Sequence, residues 1–244
     1  MKSELVVFSA AVLFVLLSML VYRWTSDGRG SHDKTGRGGS FVLGYWVRNW
    51  FYWFVKPVIR VAVSAGFTPF VFNAMVVVFG IAGMLFFAEG RLPLGGWMIL
   101  LSGFADVMDG EVARQRGLAN RAGAFVDSTL DRFSEFAVFI GLAAFFGSGF
   151  RVLVVLVALG GSLLVSYTRA RGESLGVLCK GGLMQRAERI LLLGIGAIVD
   201  PSVSELLGRD KGFTLIIILM AIALGTVGTA VYRTVWISRR LQSG

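Results

Sequence analysis

Apolar runs long enough to cross a bilayer recur along this chain, and they leave few folds open. A helix needs ~20 apolar residues to traverse about 30 Å of hydrocarbon, and it satisfies its backbone hydrogen bonds internally. A transmembrane barrel would instead show period-two segments of about 10 residues, and the sequence has none. Only 16% of the residues are charged and 55% are hydrophobic, against about 25% charged in soluble domains. The chain reads as an all-α integral membrane protein.

The first run, residues 5–22, has spanning length and is followed by the polar RWTSDGRG rather than a small-residue cleavage site. It reads as an uncleaved helix, with residues 1–24 as an N-terminal transmembrane unit and its N-terminus outside. Residues 25–40, TSDGRGSHDKTGRGGS, have the composition of a flexible linker. Their KTG is not a phosphate loop, because Asp33 stands where Walker A needs glycine. Residues 41–66 are rich in aromatics. Arg48, Tyr52, Lys56 and Arg60 share one helical face, and Trp46, Trp50, Phe54 and Val58 line its neighbour. That is the pattern of an interfacial amphipathic helix, with Pro57 expected to kink or end it. Six further spans follow within a unit at 67–240, near 69–88, 95–115, 122–146, 151–171, 187–200 and 212–236.

The formal net charge of +9 concentrates in alternate connections: RQRGLANR, RARGESLGVLCKGGLMQRAER and the tail SRRLQSG. Alternation of this kind is topological, with the basic loops and C-terminus on the cytoplasmic side, and it argues against nucleic-acid binding. The single Cys179 excludes a disulfide framework or zinc cluster. The single His32 lies in the linker, so chemistry falls to carboxylates.

Those carboxylates sit in DVMDGEVARQRGLANRAGAFVDSTLD, residues 106–131. Asp106, Asp109, Gly110 and Ala113 share one helical face, and Asp127 and Asp131 share a face of the next helix. A short connector makes the two helices antiparallel neighbours and brings four carboxylates together at their cytoplasmic ends. Like charges so close need a divalent counter-ion, and an all-oxygen set points to Mg²⁺ or Mn²⁺ working on a phosphorylated substrate. Two ions would clamp a phosphoryl group. Gly110, Ala113 and Gly123 leave the carboxylate face open to a bulky ligand, and Arg114 stands beside it. Charged side chains in spanning segments are costly and mark function. A transporter would spread such groups along a pathway, whereas these cluster at one end. An intramembrane prenyltransferase would not require the Gly-x2-Ala-Arg spacing.

The stretch spells Asp-x2-Asp-Gly-x2-Ala-Arg-x8-Gly-x3-Asp-x3-Asp, which resembles the signature of the CDP-alcohol phosphotransferase family at every fixed position. The resemblance covers roughly 41–240 and leaves out the N-terminal helix and linker. It implies an interfacial helix followed by six spanning helices, a homodimer, and transfer of a phosphatidyl group from CDP-diacylglycerol to an alcohol with release of CMP. It implies that Asp106, Asp109, Asp127 and Asp131 hold the metal and that Asp131 is the general base. By the same resemblance Asp106, Gly110, Ala113, Arg114 and Gly123 bind the CDP-lipid. The segment 166–190, with Arg169, Arg171, Lys180, Arg186 and Arg189, is similar to that of phosphatidylinositol-phosphate synthases. Arg169, Arg171 and Arg189, completed by Arg233, would then form the pocket for the phosphate of inositol phosphate. Glycerol-3-phosphate, free inositol or an amino alcohol are the alternative acceptors; the Gly-Lys-x-Lys-Thr segment usual for the first is absent here. The chain departs from the family at TPFVFN, where Phe70 and Asn73 replace the usual asparagine and threonine.

Overall fold

The structure is a computed structural model and describes residues 2–25 and 44–243. The linker expected at 25–40 and His32 lie outside the described residues, apart from Thr25. The described residues form eight helices and no strand: α1 (Lys2–Thr25), α2 (Gly44–Ser64), α3 (Pro69–Ala88), α4 (Leu92–Gln115), α5 (Arg121–Phe146), α6 (Phe150–Ser174), α7 (Arg186–Leu206) and α8 (Phe213–Gln242). Three of them, α3, α6 and α8, are long and apolar enough to cross a membrane. The charges that form the site described below lie instead on α4, α5 and α7.

Helix boundaries follow local chemistry. Pro69 opens α3 after Thr68, where a missing N–H costs nothing. Asn120 caps α5, its Oδ1 accepting from Gly123 N at 2.8 Å. Between α4 and α5, Gly117 adopts φ +66 and Leu118 N donates back to Ala113 O at 2.9 Å, so the chain reverses within a few residues. The two aspartate helices run antiparallel across this turn, but they are not the packed neighbours expected from the short connector: both pack on α3, which stands between them, and they approach each other only near the turn.

Helices α3 to α8 close a ring in the spatial order α3, α4, α7, α8, α6, α5. Small residues set the contacts. Gly96 and Gly194 bring the α4 and α7 backbones together; a Cβ on Gly96 would stand 2.5 Å from Gly194 O. Gly80 admits Ser134 against α3, and there Ser102 Oγ and Ser134 Oγ both donate to Val76 O, at 3.2 and 3.1 Å. This buried polar knot fixes α4 and α5 against α3, within about one turn of Asp106 and Asp131.

Two helices run on through a proline. α2 runs through Pro57 because Val55, Ile59 and Ala62, on its buried face, pack against Phe72, Met108 and Val112. That burial outweighs a cost of about 3 kcal/mol for an interior proline. The buried face is therefore 55/59/62, whereas Trp46 and Val58 are exposed. The aromatics of α2 instead meet α1: Tyr22 lies against Trp46 and Trp53, Phe14 against Phe54, and Trp50 Nε1 donates to Ser18 Oγ at 3.1 Å.

α7 likewise continues past Pro201 to Leu206, beyond the expected end at 200. Asp200 is fully buried and accepts from Gly212 N at 2.7 Å, Leu215 N at 2.9 Å and Ser204 Oγ at 3.1 Å. It caps the start of α8 from a neighbouring helix and ties down the turn after the proline. Asp200→Ala is expected to cost about 3 kcal/mol by orphaning these donors. The check is thermal unfolding of the purified protein; an unchanged midpoint would refute the cap. Because Asp200 lies at the far end of the ring from the acidic cluster, cation binding should survive.

Candidate active site

The site lies at the end of the ring where α4, α6 and α8 finish and α5 and α7 begin. Asp106 and Asp109 come from α4, one turn apart, and Asp127 from α5. One carboxylate oxygen from each of these three lies within 4.8 Å of the others. Oxygens on opposite sides of an octahedral Mg²⁺ are about 4 Å apart, so a small inward adjustment closes this set on a cation. Two oxygens want such a partner: Asp109 Oδ2 and Asp127 Oδ1 are buried and accept no hydrogen bond. The three aspartates thus fit a divalent metal site by spacing, donor type and unsatisfied lone pairs.

Asp131, one turn further along α5, is 6% exposed and joins the cluster through an arginine. Arg186, at the first turn of α7, places Nη1 2.5 Å from Asp106 Oδ2 and Nη2 2.6 Å from Asp131 Oδ1. Behind it Glu135 Oε1 accepts from Arg189 Nε at 2.9 Å, and Arg189 Nη2 lies 2.8 Å away. Arg132 approaches the other Glu135 oxygen at 3.8 Å. Below these ion pairs, a cavity of about 40 Å³ is lined by Ser102, Ser134, Glu135, Arg186 and Arg189 with apolar neighbours.

Around the cluster, Gly110 and Ala113 are partly exposed and Gly123 is exposed on the α5 cap. The Arg114 guanidinium stands over Gly110, where a Cβ would meet it at 3.2 Å. Glu111 holds that guanidinium by a 2.8 Å ion pair. The four arginines expected to hold the acceptor's phosphate separate into two sets. Arg169 and Arg171 are exposed at the end of α6, with Arg169 paired to Glu173 at 2.9 Å. Arg189 and Arg233 are buried, at 3% and 2% exposure. Arg189 is held by Glu135 and by Met184 O at 3.3 Å. Arg233 donates to Gly181 O and Val165 O, both at 2.8 Å, and so fastens the loop after α6 onto α8.

Sequence reasoning passed over Arg186 and Glu135 as site residues. The signal for Glu135 was its i+4 spacing from Asp131 on one helix face. Arg186 gave no local signal, because its partners lie on helices distant in sequence.

The family model for CDP-alcohol phosphatidyltransferase matches residues 67–238. The archaetidylinositol phosphate synthase of Methanothermobacter thermautotrophicus is 46% identical over 112 residues, 46% of this chain and 56% of that relative's length. The phosphatidylinositol phosphate synthase of Streptomyces avermitilis is 32% identical over 227 residues, 88% of each chain. The crystal structure of Mycobacterium tuberculosis phosphatidylinositol phosphate synthase with CDP-DAG bound superposes with a TM-score of 0.65 at 31% identity, covering 75% of this chain and 92% of that one. Its complex with manganese and citrate gives the same TM-score and identity, over 74% and 87%.

Proposed function

The chain belongs to the CDP-alcohol phosphatidyltransferase family, and on that premise we propose that it transfers a phosphatidyl group from CDP-diacylglycerol to inositol phosphate, releasing CMP. The observation that carries this reading is the convergence of Asp106, Asp109 and Asp127 into an oxygen-only, cation-ready cluster within the family's matched segment. The names of the relatives supply the acceptor.

In this reading Asp106, Asp109, Asp127 and Asp131 hold two ions, Mg²⁺ or Mn²⁺. Bound there, the cations supply Lewis-acid charge to the diphosphate and the attacking oxygen. Asp131 takes the proton from the acceptor hydroxyl, which attacks the β-phosphorus as the bond to CMP breaks. Gly110, Ala113 and Gly123 keep the α4 and α5 faces clear for the cytidine nucleotide. Arg114, tethered by Glu111 and more than a third exposed, is placed to meet the diphosphate. Arg169 and Arg171 offer accessible charge to the acceptor's phosphate, and Arg189 and Arg233 form the buried floor of that pocket. The residue unit at 67–240 would span the membrane six times, with α2 at the interface and α1 as an added span. The basic termini of α4 to α8 support a cytoplasmic location for this end. The catalytic unit is a homodimer in this reading, and the bilayer is a bacterial or archaeal cytoplasmic membrane.

The test is CMP release by purified protein with CDP-diacylglycerol and Mg²⁺ or Mn²⁺. Inositol phosphate, inositol, glycerol-3-phosphate and serine are supplied in parallel, and lipid products are identified by mass. Release with inositol phosphate alone is expected; release only with another acceptor would overturn the assignment of 166–190. The archaetidyl relative makes a CDP-linked archaetidyl lipid the second donor to try.

A further inference from the structure

The acidic cluster contains its own cation. Arg186 reaches it from α7 and bridges two helices, with Nη1 2.5 Å from Asp106 Oδ2 on α4 and Nη2 2.6 Å from Asp131 Oδ1 on α5. Its side chain is only 20% exposed, and the two carboxylates are 26% and 9% exposed, so the contacts are largely shielded from water. A guanidinium fork suits this task because it presents paired donors in one plane and keeps its charge at every working pH. The small cavity beside it is lined by Arg186 itself together with Glu135 and Arg189 among apolar neighbours.

We infer that Arg186 is a positioning residue that competes with the divalent cation for Asp106 and Asp131. It neutralises the carboxylates and holds α4, α5 and α7 in register, and it must leave Asp106 Oδ2 before that oxygen can ligate a metal. This rests on the metal-dependent reading of the cluster given above. Linkage makes the coupling reciprocal. An anion that draws the guanidinium off Asp106, such as the phosphate of an acceptor, tightens cation binding, and bound cation frees the guanidinium for that anion. The two therefore load together.

The experiment measures Mn²⁺ binding to full-length protein in detergent, without donor, by the spectroscopic signal of free Mn²⁺. Arg186→Gln is expected to bind Mn²⁺ about tenfold tighter than wild type, the scale of coupling between close charges. Arg186→Lys, which keeps the charge but loses the fork, should fall between. Arg239→Gln, on the exposed end of α8, controls for net charge and should match wild type. Inositol phosphate should tighten Mn²⁺ binding in wild type and have no such effect in Arg186→Gln. Misfolding weakens binding, so it cannot imitate the expected result. Equal or weaker Mn²⁺ binding in both Arg186 variants would overturn the competition and assign Arg186 to the fold. Persistence of the inositol phosphate effect in Arg186→Gln would overturn the coupling. Failure of wild type itself to bind Mn²⁺ would instead sink the metal reading on which the inference depends.

Discussion

Asp109→Asn is expected to lower CMP release by roughly a thousandfold, the scale of several kcal/mol of lost transition-state stabilisation at a metal site. Asp109 is 3% exposed, and its Oδ2 accepts no hydrogen bond. The amide keeps the shape and removes one negative charge and one ligand oxygen. Stability should move the other way. Asp109 faces Asp106 and Asp127, with one oxygen of each within 4.8 Å. Removing one charge relieves repulsion that the fold otherwise bears. Without added metal the variant should melt at the wild-type temperature or above it. Mn²⁺ should raise the midpoint of the wild type by mass action and leave that of the variant unmoved. A folded variant with near-normal CMP release would remove Asp109 from the metal set. A variant that melts early would mean that its carboxylate is structural.

Much of this arrangement was legible in the sequence because its determinants are local. The spacing 106/109 and 127/131 fixes two helix faces, and the connector with Gly117 and Asn120 fixes their antiparallel order. α3 begins and ends where its apolar run does. What escaped depends on distant partners. Pro57 and Pro201 carry local stop signals, yet the helices continue because Val55 and Ile59, or Asp200, find partners on other helices. The aromatics of α2 read as a face for lipid, but Trp50 and Phe54 have partners on α1. Arg186 and the arginines assigned to the acceptor's phosphate look alike in sequence and diverge in space. Arg169 is exposed, Arg233 fastens a loop, and Arg186 enters the acidic cluster. Periodicity identifies a face, but only the packed bundle shows which charge meets which.

Asp131→Asn should separate proton transfer from cation binding. Loss of a general base lowers turnover by about 10²–10⁴, and asparagine cannot take the acceptor proton. Asp106, Asp109 and Asp127 remain within 4.8 Å of one another, so the donor's diphosphate keeps its cation-bearing seat. Two effects on Mn²⁺ affinity oppose each other. One carboxylate charge is gone, which weakens binding. Arg186 also exchanges its 2.6 Å ion pair with Asp131 for a contact to a neutral amide oxygen, and is held less firmly across the cluster. The expected outcome is Mn²⁺ and CDP-diacylglycerol binding close to wild type, with turnover lost. That differs from Asp109→Asn, in which metal response and turnover fall together. If Asp131→Asn turned over at a near-normal rate, the base would have to be sought elsewhere. If it lost Mn²⁺ binding in step with turnover, Asp131 would be a ligand first, and the proton would need another acceptor.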